Sequence, residues 1–60
     1  MQKVFMNKKS VLVVDDEEII RDFLFEVLND EFDVATASDG DEAIDKLKQK
    51  RFDLIITDLK

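Results

Sequence analysis

Val11-Leu12-Val13-Val14-Asp15-Asp16-Glu17-Glu18 runs four apolar residues straight into four acids. The run is apolar at every position rather than at every second one and is too short for a helix. It therefore predicts a strand buried on both faces, the kind found in parallel sheets. Leu54-Ile55-Ile56-Thr57 is a second buried-strand run, and it too ends in an acid, Asp58. Two such strands, each delivering carboxylate at its carboxyl end, frame what lies between them.

After the first acids come Ile19, Ile20, Phe23, Leu24, Val27 and Leu28, one face of a period of about 3.6 residues. The segment predicts an amphipathic helix ending near Asn29, a residue that tolerates a left-handed terminal conformation. Phe25 falls off the stripe and marks a contact surface. Phe32, Val34 and Thr36 then alternate with Asp33, Ala35 and Ala37, a strand with one better-buried face. Asp39-Gly40-Asp41-Glu42 opens a second helix, Asp39 placed to cap and Glu42 to answer it. Ala43, Ile44 and Leu47 form its narrower apolar stripe, and Lys46, Lys48, Lys50 and Arg51 come late, where cations suit the helix dipole. The order is β-α-β-α-β. With right-handed crossovers it gives an α/β fold, a parallel sheet with a helix after each of its first two strands. Ligands of such open sheets sit beyond the carboxyl ends of the strands, and Asp15, Asp16 and Asp58 all lie at such ends.

The chain has 60 residues, no Cys, no His, no Pro and one Gly. That is one domain at most, and a chain so short buries only about 60% of its unfolded surface. Disulfides and thiolate or imidazole metal sites are excluded as props, so stability comes from packing or from a partner. Fifteen acidic against nine basic residues leave a net charge of −6, which argues against a nucleic-acid or anionic-membrane binder. No Cys or His nucleophile, His base or internal phosphohistidine is available, and carboxylates remain as the chemistry in quantity. No apolar run approaches the roughly 20 residues that span a bilayer and no signal peptide is recognisable, so the expected location is the cytoplasm. Residues 1–9 read as a leader holding the apolar trio Val4, Phe5 and Met6. It is either a frayed tail or a clamp on an exposed core edge.

If the two apolar strands are neighbours, the side chains of Asp15, Asp16 and Asp58 converge. Like charges so close are costly unless one is protonated or a cation sits among them. A hard divalent ion such as Mg²⁺, bound through a few carboxylates while keeping waters, answers that cost and lets phosphoryl oxygens complete its shell. The bland alternative for Asp15 and Asp16 is capping and dipole complementation of the first helix. Asp33, Asp41, Asp45 and the Lys/Arg series read as solvated faces, and Phe32 and Phe52 as packing under helices.

The chain resembles the receiver domain of two-component response regulators. The resemblance rests on residues 11 to 17, on Ala37-Ser38-Asp39-Gly40-Asp41-Glu42-Ala43, and on residues 52 to 60, in family order and spacing. It implies the first half of a flavodoxin-like doubly wound parallel sheet, strand order 2-1-3, with residues 10–60 a partial receiver domain. It also implies that Asp58 is the phosphoacceptor, taking a phosphoryl group from a phosphohistidine on a sensor histidine kinase. Asp16 matches the direct Mg²⁺ ligand, Asp15 its neighbour acting through a water, and the backbone carbonyl of Lys60 a further ligand. The two further strands and three further helices of the family, with their switch Ser or Thr and their Lys, fall beyond the 60 residues. Neither Lys60 nor Thr57 replaces them, since Thr57 precedes the acceptor and points the opposite way along its strand.

Two functions are therefore expected. One is a phosphoacceptor module, a signalling domain rather than a turnover enzyme, with transfer impaired by the absent groups. The other is a self-assembling half-domain without phosphotransfer, most simply a homodimer joined through the apolar edge at Leu54 to Thr57.

Overall fold

A computed structural model of the chain describes residues 8–57. The leader trio Val4-Phe5-Met6 and the site residues Asp58 and Lys60 lie outside these described residues. The elements are β1 (Lys9–Val14), α1 (Glu18–Leu28), β2 (Phe32–Ala37), α2 (Gly40–Gln49) and β3 (Leu54–Thr57), the expected β-α-β-α-β order. The three strands form one parallel sheet in the order β2-β1-β3. Pairing is in step, so that Val14 lies opposite Ala37 on one side and Thr57 on the other, and all three strands end level.

The register of β3 is pinned at its start by Asp53. Its carboxylate Oδ2 accepts the Ser10 N–H at 2.7 Å, while its own N–H donates to the Ser10 carbonyl at 2.8 Å. A one-residue slip would break both bonds and turn every β3 side chain to the other face.

Burial concentrates on the central strand. Val11, Leu12 and Val13 are fully buried, and Leu12 packs with Ala37 and Ala43 in a cluster that Val14, Ala35 and Phe52 flank. Each fully buried Val or Leu contributes about 1.5–3 kcal/mol relative to an exposed one. Both helices pack on β1 and β2, whereas β3 touches β1 alone among the described elements.

That arrangement corrects several expectations. β3 reads as a buried strand, yet Leu54 is 51% and Ile55 46% exposed, because no helix covers it. Only part of the α1 stripe packs: Leu24 and Leu28 are half-buried, while Ile19, Phe23 and Val27 are exposed, as are Ile44 and Leu47 of α2. Each helix packs one column of its side chains on β1 and β2, and among the described residues the adjacent apolar column has nothing to pack on. On β2 no single face is the buried one: Ala37 is buried, Phe32, Val34, Ala35 and Thr36 are all partly buried, and Asp33 is exposed. Asn29 closes α1 in the right-handed conformation (φ −64°), its N–H donating to the Phe25 carbonyl, so no left-handed cap forms. Asp33 is exposed but paired, 3.1 Å from Lys50 Nζ, and the same ammonium stands 5.2 Å from the centre of the Phe52 ring.

Candidate functional site

The level strand ends leave a cavity of about 310 Å³ at the carboxyl edge of the sheet. Val14, Asp15 and Asp16 line it from the end of β1, Ser38, Asp39 and Gly40 from the end of β2, and Thr57 from the end of β3. Among the described residues, three acids and no basic side chain line this space. It is the position at which an open parallel sheet takes its ligand.

Asp15 is the buried member, 8% exposed. Its N–H continues the sheet by donating to the Ala37 carbonyl at 3.1 Å, and its Oδ1 accepts the Glu17 N–H at 2.9 Å. The latter is an Asx-type turn, in which the side chain bonds the backbone two residues on. Helix α1 begins after it, with Glu17 at the N-cap position and no side-chain capping bond. Asp15 thus shapes the approach to the helix through its bond to the Glu17 N–H. Asp16, next along the loop, is exposed at the cavity.

On the β2 side, Asp39 caps α2 as expected, its Oδ1 accepting the Glu42 N–H at 2.8 Å. The answering bond differs by one residue. Glu42 Oε1 takes both the N–H and the hydroxyl of Ser38, each at 2.8 Å, instead of the Asp39 N–H. These two bonds hold the Glu42 carboxyl below its ordinary value of 4.5, with smaller help from Lys46 and Arg21. Ser38 is therefore a cavity residue that the motif reading passed over. The signal for it was present: a hydroxyl directly before a capping Asp, within reach of the third helical residue.

Among the described residues no group of three or more His, Cys, Asp or Glu is gathered to hold a metal ion. Asp15 and Asp16 supply two carboxylates at one cavity that no basic side chain among the described residues lines, a donor set that suits a hard cation keeping several waters. Asp58 directly follows Thr57, which lines the cavity, but is itself outside the described residues.

The model of the response regulator receiver domain matches residues 11–60. The chain belongs to the receiver domain family. Among similar proteins, the alkaline phosphatase synthesis transcriptional regulatory protein PhoP of Bacillus subtilis is 49% identical over 55 residues, covering 90% of this chain and 22% of PhoP. A protein-glutamate methylesterase/protein-glutamine glutaminase of Nitrosospira multiformis is 47% identical over 53 residues, 83% of this chain and 15% of its own. The structure of chemotaxis protein CheY4 of Vibrio cholerae superposes with a TM-score of 0.87 at 42% identity, covering 90% of this chain and 46% of that one. The chain thus spans less than half the length of each of these proteins, and its β-α-β-α-β unit is the receiver fold over that span. No helix among the described residues is long and apolar enough to cross a membrane.

Proposed function

We propose that this receiver segment carries the phosphoacceptor of a two-component relay, with Asp58 as the nucleophile. The observation that supports it most is the cavity where three strand ends meet, lined by Asp15 and Asp16 and by Thr57, the residue before Asp58. In the step, a carboxylate oxygen of Asp58 bonds to phosphorus as the P–N bond to the donor's imidazole breaks. The products are an acyl phosphate and an imidazole that takes up a proton. Asp15, Asp16, Asp58 and the Lys60 backbone carbonyl are the groups proposed to hold Mg²⁺. Bound there, the ion would neutralise charge on the transferring oxygens. The chain's own part on this reading is to supply the nucleophile and to hold Asp15 and Asp16 at the cavity. The chain contains no His, so the donor is a separate group, on this reading the phosphohistidine of a sensor kinase in the cytoplasm.

The test is incubation with a small phosphodonor and Mg²⁺, followed by mass spectrometry. A base-labile adduct on Asp58, absent from Asp58→Asn, is the expected result. Labelling of the 60 residues alone should be slower than that of a full-length receiver, whose further hydroxyl and Lys hold the phosphoryl oxygens. No adduct after prolonged exposure, or one on another residue, overturns the assignment.

A second reading draws on the edge of the sheet. Among the described elements β3 packs against β1 alone, and it carries half-exposed Leu54 and Ile55, which favours self-association of the 60-residue chain through this strand.

A further inference from the structure

Arg21 lies on the inward side of α1. With Leu24 and Leu28 it is one of the partly buried positions of the helix, spaced three and four residues apart, while Ile19, Phe23 and Val27 face out. A cation on the packed side of a helix that leaves Ile19, Phe23 and Val27 exposed calls for a reason. Its Nη1 donates to the main-chain carbonyl of Asp15 at 2.7 Å in a part-buried setting. This charge-assisted bond is of the stronger kind.

From this bond we infer that Arg21 is the positioning residue of the acidic loop, setting the direction in which Asp16 leaves Asp15. The inference rests on the proposed cation site and deepens it. The peptide unit is planar, so fixing the carbonyl of residue 15 fixes the N–H and Cα of residue 16 in the same plane. The preceding peptide is already held, because the Asp15 N–H donates to the Ala37 carbonyl of β2. The Asp15 side chain is held by the Glu17 N–H. With both peptides of Asp15 anchored, one by the sheet and one by Arg21, the loop carries Asp16 to the cavity without a free hinge. Residues that orient a metal's ligands from behind are typically worth about 10- to 100-fold in metal affinity.

Positioning and plain electrostatics make opposite forecasts. Arg21 is a positive charge beside an acidic cavity, so if it acted only through its charge, removing it would tighten cation binding. If it acts by orienting the loop, removing it weakens binding. Arg21→Met suits the apolar surroundings of Leu24 and Leu28 and keeps helix propensity, and Arg21→Lys keeps a long cationic donor. Mg²⁺ affinity is measured on the whole chain by titration of backbone amide shifts, and exchange of the Asp16 amide is measured without metal. The expected result is a loss of about tenfold or more for Arg21→Met, substantial recovery in Arg21→Lys, and faster Asp16 exchange in the Met variant.

Equal or tighter Mg²⁺ binding by Arg21→Met, with Asp16 exchange unchanged, overturns the inference. If the unaltered chain binds no Mg²⁺ while Asp16 exchange still rises in Arg21→Met, the cation site falls and the loop-holding role stands. If Arg21→Met does not fold by circular dichroism, Arg21→Gln takes its place with the same forecast, since its shorter side chain falls short of the carbonyl.

Discussion

Glu42 shows how one carboxylate can tie two functional elements together. Its Oε1 accepts the Ser38 N–H and hydroxyl, and its own N–H is capped by Asp39, so the loop after β2 and the first turn of α2 are locked to each other. Because the folded environment lowers the Glu42 pKa, chiefly through the Ser38 backbone bond, the folded chain binds fewer protons here than the unfolded one. The sign follows directly: the contribution is present in full above the ordinary value of 4.5 and is lost as pH falls below it through the lowered folded value. The Ser38 amide shift, followed by NMR on acidification, should therefore titrate below 4.5. Glu42→Gln keeps an acceptor oxygen but no titrating proton, and should flatten that transition. A Ser38 shift that titrates identically in the Gln variant would mean another group governs the loop.

β3 is the element whose composition and surroundings disagree most. Four residues that suit the middle of a sheet stand at its rim, with one strand beside them and no helix on either face among the described residues. Unpaired backbone groups along an apolar edge template pairing with another chain. Sedimentation of the 60-residue chain should show association at micromolar concentration, and Ile55→Lys, a charge placed mid-strand, should shift it towards monomer without loss of secondary structure. A folded monomer before the substitution would remove the second reading. The elements themselves were legible because their periods differ: an unbroken apolar run at 11–14, alternation at 32–37, and helical spacing at 19–28. Which apolar column of α1 packs was not legible. Phe23 and Val27 sit beside Leu24 and Leu28 in sequence, and a pattern alone cannot say that only the second pair meets the sheet. At the site, Asp15, Asp16 and the Asp39 cap were legible from type and position. Arg21 was not, because its role depends on the backbone carbonyl of Asp15, and Ser38 was passed over because the bond from Glu42 is shifted by one residue.

The whole molecule has more apolar surface than its own layers cover. Among the described residues the buried hydrophobic ones are three from β1 and one from β2, joined by Ala43, while Ile19, Phe23, Val27, Ile44 and Leu54 are each more than half exposed. A monomer organised in this way gains little from burial against the conformational entropy of ordering its chain, and small domains are marginal for this reason. Association would bury part of the same surface only in the folded state, so mass action couples the two equilibria. The midpoint of thermal unfolding should then rise with protein concentration, by several degrees across a hundredfold range, rather than stay constant as for a two-state monomer. Ile55→Lys should flatten this dependence, because it acts on the edge through which copies meet. The carboxylates set a second coupling: if Mg²⁺ occupies the cavity it relieves repulsion among the acids, and it should raise the midpoint at every concentration by a similar amount. A midpoint that moves with Mg²⁺ but not with protein concentration would leave the acidic site intact as an argument and dismiss self-association. Movement with protein concentration alone would do the reverse.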